Sequence, residues 1–134
     1  MNLSRAFLLL SILGSMLVMA QPAGAQQQKK QQYAIMLKLV PRLLDDANWT
    51  EADNKAVSAH FLRLKGLTEK GTVILAGRTL NSDASQFGLV IVEVENEQEA
   101  REIMDGDPAV ASGVMTASLF PYSVALMRSE RAGR

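Results

Sequence analysis

The sequence contains no cysteine and a single histidine, His60, among its 134 residues. Without cysteine there are no disulfides, no thiolate metal ligands and no cysteine nucleophile. One histidine is too few for a three-histidine zinc centre. A surplus of positive charge is missing too: 14 Lys+Arg stand against 14 Asp+Glu, a formal net charge of +0. A charge-driven grip on nucleic acid needs a basic surplus or stripe, so no nucleic-acid partner is expected. What remains is ordinary globular composition, 48% hydrophobic and 21% charged, in a length that suits one domain.

Residues 1–25 read as a secretory signal peptide. Arg5 supplies the positive start, and Ala6 to Met19 is an apolar run broken only by small residues. Pro22 then precedes Ala23-Gly24-Ala25, a small-x-small cleavage site. The run is shorter than the roughly 20 residues that span a membrane, so no span is expected after cleavage. The chain is therefore expected to be periplasmic or secreted. An exported chain without disulfides takes its stability from packing, helped by a partner subunit. Residues 26–32 form a polar, Gln- and Lys-rich linker, and 128–134 a polar C-terminal tail.

The stretch 33–127 reads as strand, helix, strand, strand, helix, strand. Tyr33 to Val40 is a mostly buried strand ended by Pro41. Thr50 opens a helix, with Asp53 three residues on as an acidic capping box and Trp49 stapling the start. Val57, Phe61, Leu64 and Leu67 recur at helical spacing and predict the buried face. Gly71 stops the helix in the place of a left-handed cap. Thr72 to Ala76 is β-branched at its start and predicts a buried strand. Asn81-Ser82-Asp83 marks a turn, and Phe87 to Val94 is the third strand.

Asn96 and Glu99 form a second capping pattern ahead of Ala100, Ile103 and Met104. Gly106-Asp107-Pro108 breaks that helix, and Ala109 to Ser112 adds one more turn. Met115 to Met127 is the last extended segment, and Pro121 within it predicts an edge position or a bulge. The order βαββαβ is the split-βαβ arrangement, an α+β fold with an antiparallel sheet and helices on one face. The open face of such a sheet needs cover, so a homodimer is expected.

His60-Phe61-Leu62-Arg63-Leu64-Lys65-Gly66-Leu67 is followed by Gly71 and then by Leu75-Ala76-Gly77. Glu99-Ala100, Asp107-Pro108 and Gly113-Val114 come after. In this order and spacing the residues resemble the YCII-related family across roughly residues 33–127. The resemblance implies a ferredoxin-like domain that pairs into a dimeric α+β barrel. It also implies that His60 and Asp107 line a pocket and act as a dyad. The family's proline after "A-G" is Arg78 in this chain, which alters the charge at the pocket rim.

Each candidate residue has a plainer reading beside the chemical one. His60, three residues after Val57 and four before Leu64, serves either as a base near pH 7 or as a core-edge histidine on a backbone carbonyl. Asp107 is either the carboxylate that fixes the imidazole tautomer or a turn aspartate bonding its own backbone. Arg78, just after a strand, either binds a ligand carboxylate or is a solvated loop arginine. Ser112 and Ser118 lie in no G-x-S-x-G elbow. His60 with Asp107 gives too few ligands for a metal. Two functions follow. One is a small enzyme without cofactor that uses a His-Asp dyad for proton transfer, isomerisation or elimination on a small molecule. The other is a non-catalytic ligand-binding or assembly protein of the cell envelope.

Overall fold

The computed structural model of the chain describes residues 29–128. The expected signal segment 1–25, residues 26–28 of the linker and residues 129–134 of the tail lie outside the described residues. The elements run β1 (Gln31–Leu39), two short 3-10 turns (Pro41–Leu44 and Asp46–Asn48), α1 (Glu51–Glu69), β2 (Val73–Arg78), β3 (Gly88–Val94), α2 (Glu97–Asp105), α3 (Pro108–Ala111) and β4 (Met115–Tyr122). The four strands form one antiparallel sheet in the order β2-β3-β1-β4. This is the expected α+β, ferredoxin-like βαββαβ topology.

Alternation along the strands sends two sets of side chains to opposite faces. Tyr33, Ile35 and Leu37 of β1 join Val90, Val92 and Val94 of β3 in the main core. Ala100 and Met104 of α2 complete it, with Leu64 and Leu67 of α1 packed against them. Each fully buried side chain of this kind contributes about 1.5–3 kcal/mol. The reverse face carries Ala34, Met36, Leu89 and Ile91, with Phe120 of β4 paired to Ala34. Phe120 and Tyr122 are half-exposed there. A second cluster of Leu43, Ala109 and Val114, with Trp49 and Val57 against it, ties the β1–α1 connection to α3. Trp49 Nε1 donates to the Leu43 carbonyl at 2.9 Å, which fixes the entry to α1.

The caps form as the residues dictate. Thr50 and Asp53 make both bonds of a capping box, and Asn96 accepts from the Glu99 amide. Gly71 takes φ +78, a region that side chains disfavour. Pro121 sits in β4, an edge strand, as its missing N–H requires.

Four expectations need correction. β1 begins at Gln31, two residues early, because Gln31 and Gln32 pair with Val94 and Glu93. The Gln32 amide donates to Glu93 at 2.9 Å, so a polar strand end is satisfied within the sheet. β4 ends at Tyr122, not Met127, and Leu126 and Met127 are exposed. β2 is not buried: beyond Val73 it opens to solvent as the other edge strand.

Phe61 is not on the buried face of α1, with 66% of its surface exposed. At 3.6 residues per turn, Phe61 lies about 75° from the mid-line of Asp53, Val57, Leu64 and Leu67, and His60 lies about 25° from it. Histidine occupies the inward position, and phenylalanine the flank.

Candidate active site

Three helical segments build the site. α1 presents His60 and, one turn on, Arg63. The corner between α2 and α3 presents Asp107 as the N-cap of α3. The break at Gly106-Asp107-Pro108 follows from proline at the first position of the new helix, where its missing N–H costs nothing. Pro108 cannot extend α2, so the chain turns and Asp107 adopts extended backbone.

The Asp107 carboxylate is 4% exposed and uses both oxygens. Oδ1 accepts from the Ala109 amide at 2.9 Å and caps α3. Oδ2 lies 2.7 Å from His60 Nδ1. One oxygen thus meets the imidazole while the other bonds the local backbone. The reading of His60 as a core-edge histidine on a backbone carbonyl does not hold, since its Nδ1 meets a carboxylate. An ionised carboxylate only accepts, so Nδ1 carries the proton and Nε2 presents a lone pair when the ring is neutral. The His60 side chain keeps 13% of its surface exposed, and Nε2 has no hydrogen-bond partner among the described residues. A neutral ring held in this way can accept a proton at Nε2.

Burial, the largest single influence, pushes the Asp107 carboxyl up, and the hydrogen bond and charge of His60 oppose it. The Ala109 amide and the Arg63 guanidinium add to them, and together they hold the group below its usual value. The pair therefore carries an ionised Asp107 at neutral pH.

Arg63 is the residue that sequence reading missed as a site member. Its Nη1 donates to the Ile103 carbonyl at 2.6 Å and stands 3.9 Å from Asp107 Oδ2. The available signal was its place three residues after His60, on the same side of α1. Arg78 does not join the pair. It ends β2 beside Gly88, which in turn pairs with Leu37. Its side chain is exposed and bonds to neither His60 nor Asp107 among the described residues. Ser112 Oγ faces the Ala109 carbonyl and not the imidazole.

The space beside the pair is small in the single chain. Ile35, Leu37, Leu64, Val90, Ile103, Met104 and Asp107 enclose a void of about 10 Å³, the room of one water at most. A wider open recess of about 490 Å³ lies between the start of β1 and the end of β4, lined by Lys30, Tyr33, Glu93 and Tyr122. It touches neither His60 nor Asp107.

The fold has a solved counterpart. The 5-chloro-2-hydroxyhydroquinone dehydrochlorinase from Burkholderia phenoliruptrix AC1100, in complex with 2,5-dihydroxybenzoquinone, superposes with a TM-score of 0.53 at 19% identity. The match covers 69% of this chain and 93% of that one. No curated protein matches. The profile of the YCII-related domain matches residues 31–120, a span that holds both His60 and Asp107. The chain belongs to the YCII-related family.

Proposed function

We propose that the protein is a small, cofactor-independent enzyme in which His60 is the general base and Asp107 its orienting partner. The observation that carries this reading is the 2.7 Å bond between His60 Nδ1 and Asp107 Oδ2, with Nε2 left unpartnered. In such a pair Nε2 takes a proton from a C–H or O–H of a bound small molecule. The electron pair released then expels a leaving group or shifts along the molecule, and no oxidant or reductant is consumed. Proton transfer, isomerisation and elimination all fit. The dehydrochlorinase of similar fold is named for an elimination on a chlorinated hydroquinone. Hydroxylated aromatic rings with a halide are accordingly the first class to test. Arg78, at the end of β2, is the proposed contact for an anionic group on such a ring.

Two further parts belong to this reading. One is a homodimer formed over the reverse face of the sheet, where Met36, Leu75 and Phe120 offer apolar surface. The other is export to the periplasm or medium, supported by the signal-like residues 1–25. No helix among the described residues is long and apolar enough to cross a membrane. Phe120→Glu should then convert a dimer to a monomer in sedimentation. The processed protein should begin at Gln26.

A non-catalytic ligand-binding or assembly role in the cell envelope is the second reading. The void of about 10 Å³ beside Asp107 favours it, since small-molecule sites are usually several hundred Å³. One experiment separates the two: chloride release and ring absorbance on incubation with 5-chloro-2-hydroxyhydroquinone and related rings, for the native protein and His60→Ala. Turnover lost by at least about a hundredfold in a folded His60→Ala supports the base. Saturable binding without turnover in either protein supports the second reading.

A further inference from the structure

Arg63 is an arginine inside the helical layer, and its surroundings leave it little freedom. Nη1 donates to the Ile103 carbonyl at 2.6 Å, in the last turn of α2, where carbonyls lose their helical partners. The same Nη1 stands 3.9 Å from the Asp107 oxygen that meets His60. A methyl group at Gly106 would lie 3.3 Å from Nη2, so the guanidinium is packed against the corner that carries Asp107. One oxygen thus faces two cationic side chains when His60 is protonated. No other charged side chain among the described residues pairs with His60 or Asp107.

We propose that Arg63 is the positioning residue of the dyad: it fixes the α2–α3 corner and offsets the Asp107 charge, so that His60 can release its proton. The inference rests on His60 and Asp107 acting as a pair. A buried carboxylate alone would favour a lasting imidazolium, which cannot act as a base. A fixed guanidinium beside the carboxylate opposes the second positive charge. Arginine suits the task because it stays charged and holds one nitrogen on the Ile103 carbonyl within ion-pair distance of the carboxylate.

The test is an NMR titration of the lone histidine in the native protein, Arg63→Met, Arg63→Lys and Asp107→Asn. Removal of the charge in Arg63→Met should raise the His60 titration midpoint by about one unit, and Arg63→Lys should stay within about 0.3 unit of native. A purely structural Arg63 would lower the unfolding temperature of both variants and leave the midpoint alone. A shift in Arg63→Met below about 0.3 unit, or a downward one, overturns the proposal. Should Arg63→Met fail to fold, Arg63→Gln, which keeps a donor for the Ile103 carbonyl, gives the same readout. Asp107→Asn should lower the midpoint. If it leaves the midpoint unchanged, the dyad itself is refuted, independently of Arg63.

Discussion

His60 Nδ1 and Asp107 Oδ2 meet at 2.7 Å across 47 residues of chain. The same carboxylate starts α3 through its other oxygen. The two duties separate in mutants. Asp107→Asn keeps an oxygen for the Ala109 amide, whereas Asp107→Ala loses the cap and leaves His60 Nδ1 without an acceptor. Urea unfolding should find Asp107→Ala less stable than Asp107→Asn by about 1–2 kcal/mol. Equal stability of the two would show that the cap contributes nothing.

Acid should weaken the fold through two carboxylates. Arg42 binds Asp53 in a fork at 2.6 and 3.0 Å, and Thr50 adds its hydroxyl at 2.7 Å. The Arg42 bond, then those of Thr50, hold the Asp53 carboxyl well below the usual range. Asp107 lies below it as well. Groups depressed in the folded state contribute in full above the unfolded carboxylate value, about 4, and the contribution fades as pH falls towards the folded value. Thermal unfolding should place Arg42→Ala below native at pH 7, with the gap closing towards pH 2. A gap that stays constant across that range would remove Asp53 from the account.

Gly106 is needed for space. A Cβ there would lie 2.9 Å from the Glu102 carbonyl oxygen, which is backbone and cannot swing away. Gly106→Ala should cost about 1–3 kcal/mol in denaturant unfolding. The His60 resonance should move with it, because the strained corner carries Asp107. A neutral substitution would mean that the corner yields freely.

The two faces of α1 give a paired prediction. Phe61→Gln should change the unfolding free energy by less than about 0.5 kcal/mol, since the ring is 66% exposed. Leu64→Ala should cost about 2 kcal/mol, because Leu64 packs on the main core. Reversal of that order would place Phe61 in a contact beyond the single chain.

Much of this arrangement was legible in the residues. Thr50 with Asp53, Asn96 with Glu99, Gly71 and Pro108 act over three or four positions, and such local chemistry reads directly from sequence. The strand order follows from element order. The inward place of His60 is not legible in the same way, because stripes through 60 and through 61 both fit a helical period, and only the neighbouring elements decide which turns inward. The edge position of β2 is hidden because β-branched runs suit edge and centre alike. His60 and Asp107 were visible as residue types, but their contact depends on how α1 packs against α3. Arg63 escaped notice since an arginine between leucines looks like any solvated side chain until its carbonyl partner is known.

The strand order also bears on when the chain can fold during its synthesis. Among the strands, only β2 and β3 are both consecutive and paired. β1 emerges first, waits for β3, and gains its second neighbour only when β4 arrives. A nascent chain can therefore form its β2–β3 hairpin first and add β1 to β3 at a larger closure cost, and only the second edge of β1 has to wait for the last strand. Until β4 arrives, that side of β1 is an open strand edge, the part of the sheet most exposed to wrong pairing with another chain.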